Sequence, residues 1–134
     1  MITFRDETLG RVLVLEATGR GFWPIPWSRW RQANMLVARF ALKIPPEDQL
    51  EALHRLTEKL GAEYDTVSLL GFLFRRWRKR YRNPLSSATR LICSEAVALY
   101  LSYLKLVPVN EVESYEPHDL YMVLHKSLAA EQLL

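Results

Sequence analysis

With 134 residues, of which 49% are hydrophobic, the chain is long enough to bury a core, and its composition excludes disorder. A single cysteine excludes an internal disulfide and fits a reducing compartment. The net charge of +3 is small and concentrated in one place, which argues against nucleic acid as the leading partner. No apolar run reaches the roughly 18–20 residues of a membrane span, and no basic-then-apolar leader opens the chain, so a cytoplasmic location is expected.

Met1 to Phe4 reads as a short strand and Arg5 to Gly10 as a polar turn ending in glycine. Arg11 to Ala17 is a β-branched and leucine run, a second strand that completes a hairpin. Thr18 to Pro26 carries two glycines and two prolines around Phe22 and Trp23, which predicts a loop. Trp27 to Asn34 reads as a short helix with Ser28 as its cap, and Met35 to Leu42 as a third strand. Pro45 and Pro46 break that strand and open a helix, with Glu47 and Asp48 at the positive end of its dipole. Leu50, Leu53, Leu56 and Leu60 share one face of it, and Gly61 terminates it.

Tyr64 and Asp65 begin the next segment, and Val67 through Phe74 is apolar almost all round, as in a buried helix. Arg75 to Arg82 follows, with six cations in eight residues interleaved with Trp77 and Tyr81. Asn83 to Thr89 is rich in turn formers. Cys93, Ala96, Val97, Tyr100, Leu101 and Leu104 then form a helical stripe that Pro108 stops, and a final amphipathic helix runs from about Glu116 towards Leu134. Strands early and helices late predict an α+β fold, a small antiparallel sheet packed by helices on one side. There is no internal repeat and no dividing linker, so residues 1–134 read as one domain.

The chemistry centres on Cys93. A thiolate attacks carbonyl carbon, and a helix N-terminus or a nearby imidazole favours the thiolate. First-turn amides can also hold the oxyanion of a tetrahedral intermediate. On the residues alone, Cys93 reads first as a small core residue of an apolar stripe. A helix capped earlier, by Ser86, Ser87 or Thr89, would bury it further from the terminus. Glu16 alone is a charged residue at a strand end, and Tyr64 alone an aromatic with a polar tip.

Taken in order, Glu16-Ala17, Gly61-x-x-Tyr64-Asp65, Cys93-Ser94-Glu95 and Pro117-x-Asp119-Leu120 resemble the circularly permuted papain-like proteins. These are the YiiX-like branch of the NlpC cell-wall amidohydrolase superfamily, with lecithin retinol acyltransferase a more distant relative. The resemblance spans about Arg11 to Leu120. It implies a permuted papain-like cysteine hydrolase fold, with Cys93 as nucleophile, Glu16 orienting a histidine base and Tyr64 helping the oxyanion. Asp119 would cap the last helix. No cofactor or metal is implied.

The family's histidine comes about fifteen residues before the Glu-Ala pair, which here falls at Met1 or just before it. The chain is therefore expected to lack the family's histidine-bearing segment, either because the sequence begins late or because the base has been lost. His54 lies near the edge of the leucine face, His118 within the Pro-x-Asp-Leu motif and His125 on the last helix, and none is placed as the base.

Three functions follow as expectations. The first is a thiol hydrolase or acyltransferase acting on a peptide, amide or acyl-lipid substrate. The second is a binding protein of the same fold without the base. The third is a nucleic-acid or membrane-surface module working through Arg75 to Arg82, a run that also reads as a solvated helix end. Phe22, Trp23, Trp27 and Trp30 are expected either to wall the cleft or to fill the core. Oligomeric state is left open.

Overall fold

The computed structural model describes residues 1–18, 20–61, 63–64, 90–91 and 93–133, and for 63–64 and 90–91 the backbone alone. It is an α+β fold with a small antiparallel sheet and several helices. β1 (Ile2–Asp6) and β2 (Arg11–Thr18) form the expected hairpin, with Ile2 opposite Leu15 and Asp6 opposite Arg11. Asp6 Oδ1 accepts the Leu9 N–H at 2.9 Å, and Gly10 takes the left-handed conformation (φ 60°) that lets the chain re-enter the sheet.

The predicted loop at 18–26 is instead a strand. β3 (Gly21–Pro26) pairs antiparallel with β2, with Glu16 opposite Trp23 and Ala17 opposite Phe22. Its prolines are tolerated because β3 is an edge, where one row of N–H groups has no partner to lose. Alternation then separates sequence neighbours: Phe22 is 1% exposed and Trp23 is 49% exposed. α1 (Trp27–Ala33) follows directly; its cap position is Pro26, and Ser28 lies inside the first turn rather than capping it.

The strand expected over 35–42 is reduced to β4 (Phe40–Leu42). A strand is only as long as its partner, and β7 (Ala130–Gln132) supplies three residues, with one further bond at each end, from the Leu133 N–H to the Arg39 carbonyl at 2.8 Å and from the Lys43 N–H to the Ala129 carbonyl at 2.7 Å. Making that partner also ends the last helix early. α4 runs Pro117–Lys126, and the chain then turns into β7 instead of continuing as helix towards Leu134.

α2 (Pro46–Thr57) begins as expected, with proline and two carboxylates in its first turn. Its buried line is Ala52 and Leu56, one turn apart, with Leu53 half-buried beside them. Leu50 therefore points away (66% exposed), and Leu60 lies beyond the helix end, so the four leucines do not form the buried face. Gly61 turns the chain with φ 82°; its N–H donates to the Phe22 carbonyl at 3.0 Å, and the Trp23 ring packs over it.

β5 (Glu63–Tyr64) pairs parallel with β6 (Arg90–Leu91), placing Tyr64 beside Leu91. α3 (Cys93–Tyr103) starts two residues after β6. It ends before Leu104, in a left-handed Lys105 (φ 59°) with the Leu106 N–H reaching the Leu101 carbonyl at 2.9 Å, so the stop precedes Pro108. A 3₁₀ turn (Val109–Ser114) leads to α4.

The core lies between one face of the sheet (Ile2, Leu15, Ala17, Phe22) and the helices α2 and α3, with Leu56 and Leu101 fully buried. Val14 and Trp30 are buried on the other face, where α1 packs. Among the described residues no helix is long and apolar enough to cross a membrane. The expected helix at 67–74, the basic run at 75–82 and the loop at 83–89 lie outside the described residues.

Candidate functional site

Strand, cysteine and helix follow one another at residues 90–103, and Cys93 is the first residue of α3. Of the two starts left open by the sequence, this is the one that puts the sulfur at the helix terminus. Cys93 is exposed, whereas Ser94, Glu95 and Ala96 immediately after it are buried. The reading of Cys93 as a core residue is thereby overturned: the stripe of α3 begins its burial one residue later.

Cys93 stands at the wall of a groove of about 500 Å³. Val97 and Leu101 continue its line along α3 at i+4 and i+8, so the groove follows two turns of the helix, about 12 Å at 1.5 Å per residue. Facing walls come from Leu36 and Phe40 on one side and from Leu120 and Leu124 of α4 on another. Among the described residues that line it there is no carboxylate, and Arg39 is the one charged side chain. Its volume falls in the range of sites that enclose a small organic molecule.

The other predicted residues divide. Continuing the β1–β2 register by one step places Met1 opposite Glu16. The Met1 nitrogen lies within electrostatic reach of both Glu16 and Cys93: burial lowers the pKa of its amino group most strongly, while those two groups raise it. The start of β1 thus lies near both the predicted nucleophile and the predicted orienting carboxylate. The backbone of Tyr64 reaches the same corner through its pairing with Leu91, two residues before Cys93.

Asp119 does cap the last helix, accepting the Glu116 N–H at 3.0 Å through Oδ2, and that cap holds Pro117 and Leu120 against the groove. His54, His118 and His125 are exposed and none lines the groove. His125 instead stacks on Tyr121, with ring centroids 5.6 Å apart, and its Nδ1 lies 3.3 Å from Gln132 Oε1.

The aromatic cluster does not act as one wall. Phe22 and Trp30 are buried, Trp23 covers Gly61 and donates its Nε1–H to the Arg20 carbonyl at 3.0 Å, and Trp27 alone reaches the groove. Sequence reasoning missed the walls at 36–42 and in α4. The period-two pattern Leu36, Ala38, Phe40 and the i, i+4 pair Leu120 and Leu124 are the signals that could have found them.

Tyr100 also lines the groove, and burial raises the pKa of its hydroxyl above the ordinary value. Because the unfolded chain ionises more readily, the stability from keeping this tyrosine neutral is complete below about pH 10 and is lost as pH rises through the folded value. The denaturant midpoint is expected to fall above about pH 10, and Tyr100→Phe to flatten that fall. No protein-family model, curated protein or solved structure matches this chain.

Proposed function

We propose that this protein is a thiol hydrolase or acyltransferase with the permuted papain-like fold, and that Cys93 is its nucleophile. The observation that carries this reading is the position of the sulfur: exposed, at the first turn of an otherwise buried helix, at the wall of an apolar groove.

The Cys93 sulfur attacks an amide or ester carbonyl carbon, forming a C–S bond and pushing the carbonyl electrons onto oxygen. First-turn amides of α3, with Tyr64 nearby in the chain path, stabilise that oxyanion. Collapse breaks the C–N or C–O bond, and the thiol's proton ends on the leaving amine or alcohol. Water or an acceptor hydroxyl or amine then attacks the thioester and releases the sulfur.

A base carries the proton between these steps. A residue continuing β1 ahead of Met1 would, by the register, fall opposite Ala17 and share the face of Ile2, which is turned to α3. By the same alternation Glu16 lies on the opposite face with Val14, so its carboxylate does not face the imidazole of a histidine there. A binding protein of the same fold is the second reading, favoured by the absence of His54, His118 and His125 from the groove.

The test is alkylation of Cys93 by iodoacetamide at pH 7, in this chain and in a chain extended by its natural upstream codons. The enzyme reading expects the folded, extended chain to react at least about tenfold faster than the same thiol in urea. Equal rates folded and unfolded in both chains would leave the binding protein.

A further inference from the structure

Residues 34–39 follow α1 as an extended segment whose side chains alternate. Leu36 and Ala38 turn into the Cys93 groove, while Met35 and Val37 stand 84% and 80% exposed. Two large apolar side chains so exposed, one residue from a groove wall, form an apolar rim that nothing among the described residues covers.

The charge along the segment that carries the rim has one sign. From Trp27 to Pro46 the sequence contains Arg29, Arg31, Arg39 and Lys43 and no aspartate or glutamate. Lys43 pairs with Glu131 at 3.1 Å. Arg31 lies over the Trp27 ring, 5.9 Å from its centroid. Arg29 and Arg39 make no ion pair among the described residues and are exposed. Cations surrounding exposed apolar side chains match a surface of anionic headgroups over hydrocarbon. The described residues of the groove behind are mostly apolar and include no carboxylate, and one end of its α3 wall is a thiol.

We propose that residues 27–46 dock this protein on an anionic phospholipid bilayer, Met35 and Val37 entering the acyl layer, so that a lipid acyl chain passes into the groove with its ester carbonyl at Cys93. Docking stands on the rim alone. The lipid ester as substrate rests on Cys93 being the nucleophile: the C–S bond forms, the ester C–O bond breaks, and the thiol's proton ends on the released hydroxyl.

Co-sedimentation with vesicles tests it, comparing phosphatidylcholine alone with an equimolar mixture containing phosphatidylglycerol. Binding is expected to the anionic vesicles and to weaken with salt. Met35→Asp/Val37→Asp, on the surface and harmless to folding, should lower the affinity at least about tenfold. Arg39→Gln should lower it about fivefold, the contribution of one cation near such a surface.

Cys93→Ala should bind as the parent does, which separates docking from chemistry: parental binding with an inert thiol would remove the substrate and leave the docking face. The docking face is lost if the parent binds neither vesicle. It is equally lost if Met35→Asp/Val37→Asp binds unchanged while neutralising Arg78, Lys79 and Arg80 abolishes binding, or if a soluble acyl thioester binds and vesicles do not.

Discussion

Replacing Cys93 with alanine in the natural full-length protein is expected to abolish turnover of a chromogenic ester or amide while leaving the fold intact. Removing a covalent nucleophile costs on the order of 10⁶-fold in kcat, because no second group can form the intermediate. Cys93→Ser should recover little, since a hydroxyl is scarcely ionised at neutral pH. The second half of the expectation is as diagnostic as the first. Cys93 is exposed, so its loss should move stability by no more than about 0.5 kcal/mol, the range of ordinary surface substitutions. A core cysteine would behave in the opposite way, costing stability and leaving turnover alone. Measuring kcat and the denaturant midpoint on one preparation separates the two, and turnover that survives in Cys93→Ala would end the nucleophile proposal.

Phe22→Ala is expected to cost about 3–5 kcal/mol, the scale of emptying a buried aromatic site. The ring is among the largest fully buried side chains, on the sheet face that meets α2 and α3. Against a usual net stability of about 5–15 kcal/mol, this brings the chain close to unfolding at room temperature. Its neighbour provides the control. Trp23 is half exposed and lies over Gly61 at the surface, so Trp23→Ala should cost about 1 kcal/mol. Urea melts of the two variants should differ by several kcal/mol. Equal losses would mean that residues 21–26 do not alternate across a sheet.

The same pair shows where sequence reasoning succeeds and where it stops. The β1–β2 hairpin was legible because β-branched residues, an Asx turn and a glycine all sit locally. The start of α2 was legible from Pro46, Glu47 and Asp48 for the same reason. β3 was not, since glycine and proline signal a loop unless the strand is known to be an edge, and edge position is a property of the whole sheet. β4 and β7 failed likewise: each is three residues long and exists because the other does. Glu16 and Cys93 both lie close to the start of β1, and the Tyr64 backbone pairs with the strand that leads into α3. The groove as a whole could not be read in advance, because its walls come from widely separated stretches of chain that only the fold assembles.

The β4–β7 pairing has a kinetic consequence. Phe40 meets Gln132, so most of the chain must be threaded between the two halves of a three-residue ladder. Closing so long a loop is entropically slow, and so few bonds return little for it. This ladder should therefore be the last part of the sheet structure to assemble and the first to open. Because Phe40 and Leu42 line the groove and the ladder ties Leu133 to them, each brief opening would loosen that wall while the core between β2 and α3 stays closed. Access to Cys93 from this side would then be set by the rate at which β4 and β7 part and rejoin.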